Sequence, residues 1–121
     1  MENPVGTEYP YKGVPMKIIT LDESEIKIRY RYNPNGTAAG YVLFEYYNES
    51  WRSGWHLELM TIVPTRCGHG TRILRTALND LKKRGIVNIT VHPTNDKSKA
   101  FFQKNGFVAI AGDTSMFEIN I

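Results

Sequence analysis

The sequence predicts a mixed α/β (α+β) fold, a mostly antiparallel sheet with one parallel strand pair at its centre and helices packed on it. Three observations carry this. Ile26, Ile28, Tyr30 and Tyr32 alternate with Lys27, Arg29 and Arg31, the pattern of a strand with one buried face. Trp55 to Val63 is apolar at nearly every position (Leu57, Leu59, Met60, Ile62, Val63), which places it in the middle of the sheet with both faces covered. That strand passes through Pro64-Thr65-Arg66-Cys67-Gly68-His69-Gly70 into an amphipathic helix, and a second short apolar strand follows. Strand, helix and strand in that order make parallel neighbours joined by a right-handed crossover.

A chain of 121 residues is one domain, with room for one sheet and a few helices but no second core, folding alone or as a homodimer. The formal charge of +3 mildly favours anionic partners, a nucleotide-like cofactor as readily as nucleic acid. Most of the positive charge reads as solvated surface, on alternating strand positions or on the outer side of a helix (Arg75, Lys82, Lys83, Arg84). The same alternation separates tyrosines from cations on residues 25–32, which argues against a single-strand nucleic-acid platform. A lone Cys67 makes no internal disulfide and offers no cysteine pair for a metal, so no metal is expected. Residues 1–15 show no periodicity and read as a tail before a single domain at 16–121; they lack a secretory pattern, and no apolar run is long enough to span a membrane, so a cytoplasmic location is the default expectation.

In chain order, Met16 to Leu21 is a strand, Asp22-Glu23-Ser24 a polar break short enough for a hairpin, and Glu25 to Tyr32 the alternating strand. Asn33-Pro34-Asn35-Gly36 is a turn and Ala38 to Tyr47 a further strand, so the front half is an antiparallel meander. Its aromatic residues, Tyr47 included, read as packing, with Trp51 in the next loop. The helix from Thr71 to Arg84 puts Ile73, Leu74, Ala77, Leu78 and Leu81 on one stripe and ends at Gly85. Ile86 to His92 is a strand with Val87, Ile89 and Val91 on one side. Thr94 or Asn95 caps a second helix that closes at Gly106, and two strands, Phe107 to Ala111 and Met116 to Ile121, form a final hairpin.

The loop before the first helix is the strongest functional signal. Two glycines one residue apart let backbone amides turn toward a common point, where the helix also presents its unpaired N–H groups and positive dipole end. Such a cradle holds phosphate or pyrophosphate without a lysine side chain.

The run Ile62-Val63-Pro64 to Gly68-His69-Gly70-Thr71, its helix, and the block Asn95 to Phe107 resemble the acetyl-CoA-binding core of the GCN5-related N-acetyltransferases (GNAT). The second block is the more specific, with Asn95, Ser98, Phe101, Phe102, Gly106 and Phe107 at that family's spacing. The resemblance implies an acyl-CoA N-acyltransferase-like fold in which the central strand splays from its parallel neighbour. The amides of Cys67, Gly68, His69, Gly70 and Thr71 would hold the coenzyme A pyrophosphate, with Arg66 as a nearby cation. The pantetheine arm would run in the gap along Met60, Thr61, Ile62 and Val63 like an added strand, bonded by Asn95 beside Ser98 and lined by Phe101 and Phe102. A strand amide near Ile62 would polarise the thioester carbonyl. His69 is expected to turn its side chain to solvent, and Cys67 to be an incidental thiol, since transfer in this fold is direct.

The sequence departs from the family pattern in three places. Thr65 stands where Gln or Arg is usual, and Pro64 lies closer to the first glycine than is common. Phe102 replaces the tyrosine that serves as general acid to the leaving thiolate, and phenylalanine has no proton to give. Residues 21–25 leave no room for the two helices that usually wall the acceptor pocket, so the acceptor side is expected to be open, which suits a macromolecular amine. His56 and Glu58, two apart on the central strand, share a face; Glu58 is the favoured base and His56 its alternative. The chain thus reads as an acetyl-CoA-dependent N-acetyltransferase, with a catalytically weak or inactive coenzyme A-binding interaction module as the alternative.

Overall fold

The computed structural model describes residues 7–11, 14–23, 26–32, 39–50, 53–63 and 68–121. The elements run β1 (Thr7–Tyr11), β2 (Val14–Glu23), β3 (Lys27–Tyr32), β4 (Ala39–Asn48), β5 (Ser53–Val63), α1 (His69–Lys83), β6 (Asn88–Val91), α2 (Asp96–Lys104), β7 (Val108–Ile110) and β8 (Asp113–Asn120). They form one eight-stranded sheet in the order β1-β2-β3-β4-β5-β6-β8-β7. All neighbours are antiparallel except β5 and β6, the parallel joint expected at the centre.

Residues 7–11, read from sequence as part of a tail, are a strand paired with β2 from Thr7↔Ile18 to Tyr11↔Val14. Short length and Pro10 hide it from a periodicity reading, and both suit the sheet edge on which it lies. The polar break Asp22-Glu23-Ser24 proves shorter than expected: β2 runs on to Glu23 after a register shift between Thr20 and Asp22. Among the described residues, no helix lies between β2 and the start of β3 at Lys27. The turn expected at Asn33 to Gly36 lies outside the described residues.

α1 buries the predicted stripe of Ile73, Leu74, Ala77, Leu78 and Leu81 against Ile28, Tyr30, Val42, Phe44, Leu57 and Ile89. Gly85 closes it with φ +91, and Ile86 N–H returns to Leu81 O at 3.1 Å. Tyr30 ties β3 to this helix by donating to Asp80 Oδ2 at 2.5 Å, and Arg84 Nε holds the same oxygen at 2.7 Å. Val87, expected on the buried side of its strand, precedes β6 and is 67% exposed.

Register sorts the central strands into rows. Ile28, Phe44 and Leu57 form one row and Tyr30, Val42 and Met60 another, on the helix side. Lys27, Glu45 and His56, then Arg29, Leu43 and Leu59, then Arg31, Tyr41 and Thr61 occupy the reverse. Leu59 is 44% exposed there, which corrects the expectation that β5 is covered on both faces.

Candidate functional site: a strand fork below a helix N-terminus

β5 and β6 pair only at Trp55↔Ile89, His56↔Thr90 and Leu57↔Val91. β6 then stops, with Pro93 just beyond, while β5 continues to Val63, still paired with β4. Among the described residues, the ladder between β5 and β6 therefore ends at Leu57 and Val91. A register shift opposite Leu43 and Phe44, which face Leu59 and Leu57, leaves Glu58 as the extra residue of a β-bulge. A bulge bends its strand and sharpens its twist, which carries β5 away from β6 at this point.

Four side chains from three strands meet at the fork. His56 is 4% exposed, and its Nδ1 lies 2.8 Å from Thr90 Oγ1 on β6. The Thr90 hydroxyl donates to Trp55 O at 3.4 Å. The rings of Tyr47 on β4 and His56 stand edge to face, centroids 6.1 Å apart at 85°, and Tyr47 donates its phenolic hydrogen to Glu58 Oε2. The same Oε2 lies 3.9 Å from His56 Nε2, the Glu58 side chain being 27% exposed and that of His56 only 5%. The fork thus pairs a solvent-reaching carboxylate with a buried imidazole. His56 and Glu58 come together as their spacing implied. Tyr47 and Thr90 were not read from the sequence as site residues, although strand alternation places Tyr47 and Glu45 on one face and Thr90 between the buried Ile89 and Val91.

Beyond the open edge lies the start of α1. Gly68 is its N-cap, left-handed at φ +80, with no side-chain cap and no acidic residue in the first turn. The first helical bond runs from Arg72 N–H to Gly68 O at 3.2 Å, so the preceding amides have no partner within the helix. Gly70 seats this end closely: a Cβ there would meet Phe101 at 3.3 Å and Met60 at 3.6 Å. Helix, central strand and α2 thus converge at one point. Pro64 to Cys67, including the expected ligands Arg66 and Cys67, lie outside the described residues, and of Ile62 and Val63 only the backbone pairing with Gly40 and Ala39 is described. Thr61 is exposed, while Met60 and Thr71 are half-buried. His69, expected to face solvent, is half-buried as well.

Asn95 and Ser98 bond to each other. Asn95 Oδ1 accepts from Ser98 N–H at 2.8 Å, and Ser98 Oγ accepts from Asn95 N–H at 3.3 Å, a capping box on α2. The Asn95 carbonyl oxygen is thus committed to the helix, which leaves the amide NH2 to offer a ligand. Phe102, expected to line the pantetheine arm, is only 6% exposed, its ring edge-on to Phe101 and Phe107 with centroids 5.2 Å away in each case. It is a core residue here, and Phe101, half-buried against the Gly70 position, is the aromatic nearer the helix start. Residues 93–96, Lys99, Ser115 and Phe117 line a groove of about 230 Å³ past the end of β6. Among the described residues no three His, Cys, Asp or Glu side chains converge on a metal site, and no helix is long and apolar enough to cross a membrane.

The fold has solved counterparts. The PaiA N-acetyltransferase of Thermoplasma acidophilum, determined in complex with coenzyme A, matches with a TM-score of 0.64 at 22% identity over 79% of this chain and 62% of its own. The chain therefore spans less than two thirds of that protein's length. The ribosomal-protein-S18-alanine N-acetyltransferase of Escherichia coli matches at 0.63 and 17% identity, covering 82% of this chain and 72% of its own. AtaTR bound with AcCoA matches at 0.64 and 18% identity, covering 79% and 68%. No curated protein sequence matches the chain. These likenesses establish a shared fold, and the model of the acetyltransferase (GNAT) family matches residues 7–107, most of the chain. With the parallel strands parting beside a glycine-started helix, the chain belongs to the GNAT acetyltransferase family.

Proposed function

We propose that the protein is an acetyl-CoA-dependent N-acetyltransferase that acts on a primary amine carried by a protein or other large acceptor. The observation that carries this reading is the fork itself: β5 is bulged at Glu58 and parts from β6 immediately after Leu57, with an uncapped helix N-terminus at the far end of the open edge. Buried backbone groups left unpaired cost about 1–3 kcal/mol each, and a pantetheine arm has amides that satisfy them. The pyrophosphate sits at Gly68 to Thr71, where N–H groups and the helix dipole favour an anion. The thioester then lies at the fork, and an amide of the open edge beside Glu58 polarises its carbonyl. Ile62, where the sequence resemblance puts that amide, is four residues further on, roughly 13 Å along a strand. Glu58, reached by solvent and held by Tyr47, takes the amine proton, with His56 behind it.

Two features support a large acceptor. Among the described residues, no helix stands between β2 and β3 to wall the site, and Leu59 is exposed beside it. The Escherichia coli neighbour, whose name gives a ribosomal-protein alanine as its acceptor, has the same fold. Phe102 favours a second reading, a coenzyme A-binding interaction module, because its buried phenyl ring supplies no acid to the departing thiolate.

Thermal denaturation with acetyl-CoA tests the first step: ligand at 100 times its dissociation constant adds about 2.7 kcal/mol of stability. No shift at saturating acetyl-CoA overturns both readings. Free-thiol release with amine-bearing polypeptides, reduced on the order of 10²-fold or more by Glu58→Gln, supports the enzyme. A thermal shift without thiol release supports the module instead.

A further inference from the structure

We propose that Thr90 is a positioning residue that holds His56 in its Nδ1–H tautomer, so that Nε2 presents a lone pair to Glu58 and the two side chains act as one proton acceptor. The inference rests on the acetyltransferase reading for its consequence but not for its geometry. Thr90 Oγ1 has one hydrogen, and Trp55 O lies in place to accept it at 3.4 Å. The Thr90 oxygen then faces His56 Nδ1 at 2.8 Å with lone pairs only, so Nδ1 must carry the hydrogen. In a neutral imidazole the other nitrogen is then the acceptor, and Nε2 is the atom that lies 3.9 Å from Glu58 Oε2. His56 is 4% exposed, its ring held between Tyr47 on β4 and Thr90 on β6. The parallel pairing of His56 with Thr90, two positions before the bulge, is what brings the hydroxyl to the ring.

The chemistry gives this arrangement a use. An ammonium must lose one proton before its nitrogen can attack, and a carboxylate alone, with an ordinary pKa near 4.3, is a weak acceptor for it. An imidazole, near 6.5, is better matched to neutral pH, provided its free nitrogen faces the carboxylate. The ammonium yields one proton to the Glu58–His56 pair, and the freed lone pair forms the N–C bond to the acetyl carbon. The C–S electron pair departs on sulfur, the nitrogen sheds its second proton as the tetrahedral centre collapses, and the thiolate is protonated to the thiol. One amide, one thiol and one net proton result. Among the described residues, the titratable groups facing His56 include Glu58 on its own strand, Tyr47 and Glu45 on β4, and Lys27 opposite Glu45 on β3; β6 contributes the uncharged Thr90.

Imidazole 15N shifts in histidine-labelled protein read the tautomer directly, with the His56 signals assigned by their loss in His56→Gln. The expected result, in protein without substrate at a pH where His56 is neutral, is a protonated-type Nδ1 and an unprotonated-type Nε2. Thr90→Val keeps the shape and removes the hydroxyl; it should mix the tautomers, lower kcat on the order of tenfold, displace the acid limb of the kcat–pH profile and leave KM for acetyl-CoA unchanged. Thr90→Ser should restore all three. Nε2–H in the parent protein, or wild-type tautomer and kcat in folded Thr90→Val, overturns the proposal. Should the chain fail to bind acetyl-CoA, the acetyltransferase reading falls, while the tautomer measurement still decides the role of Thr90.

Discussion

The bulge at Glu58 resets the alternation of β5, so that Leu59 joins Glu58 on the exposed side. Without the shift opposite Leu43 and Phe44, strict alternation would set Glu58 and Leu59 on opposite faces; both are exposed instead. Tyr47 then fixes the carboxylate by a hydrogen bond to Oε2, and Tyr47→Phe should remove that bond and little else. A bond to a charged acceptor contributes about 1.5–3 kcal/mol, with the lower end apt for this solvent-reached pair, so turnover should fall roughly tenfold while acetyl-CoA still raises the melting temperature. Thiol-release kinetics beside a thermal shift would check this, and an unchanged kcat would remove Tyr47 from the site. The sequence placed His56 and Glu58 together because spacing along one strand is local information. It assigned Tyr47 to packing because only the register of β4 against β5 brings its phenol to Glu58.

At the scale of elements, α1 must be held firmly if its N-terminus is to meet an anion at a fixed place. Its apolar stripe supplies the burial, and Tyr30, Asp80 and Arg84 add a polar clasp to β3. Burial first, and the Asp80 carboxylate second, push the Tyr30 phenol well above its ordinary value of 10.0. The folded chain therefore keeps a proton that the unfolded chain loses, so the clasp contributes fully below about pH 10 and its contribution declines as pH rises beyond it. Urea unfolding of the parent and Tyr30→Phe should show the parent more stable at about pH 8, by roughly 1–2 kcal/mol. The gap should narrow above about pH 10, at up to ~1.4 kcal/mol per pH unit. A gap that widens with alkalinity would show that the phenol does not retain its proton on folding. The helix itself was legible, since its stripe and Gly85 are local signals, whereas Asp80 and Arg84 carried no sign of a partner fifty residues upstream.

Across the whole molecule, the sheet has seven strand pairings among the described residues, and one of them, β5 with β6, stops short of the outer half of β5. The stretch of β5 beyond its ladder with β6 should exchange its outward amides faster than Trp55 to Leu57, and acetyl-CoA should slow them. Hydrogen exchange with and without the ligand checks this; protection confined to α1, with the edge unchanged, would place the pantetheine arm elsewhere. Sequence by itself determined the order of elements from β2 onward, the parallel joint, the helix-capping glycines and the family, because periodicity, turn chemistry and motif spacing are properties of short stretches. It overlooked β1, whose five residues are too few to show a period and whose stability comes from pairing with β2. It also placed Phe102 beside the ligand, where packing against Phe101 and Phe107 puts the ring in the core. Only tertiary structure decided where the strands part, which residue the bulge turns outward, and that Thr90, His56, Glu58 and Tyr47 meet. Those outcomes depend on the register between strands, which is set by the packing of the whole sheet rather than by any one segment of it.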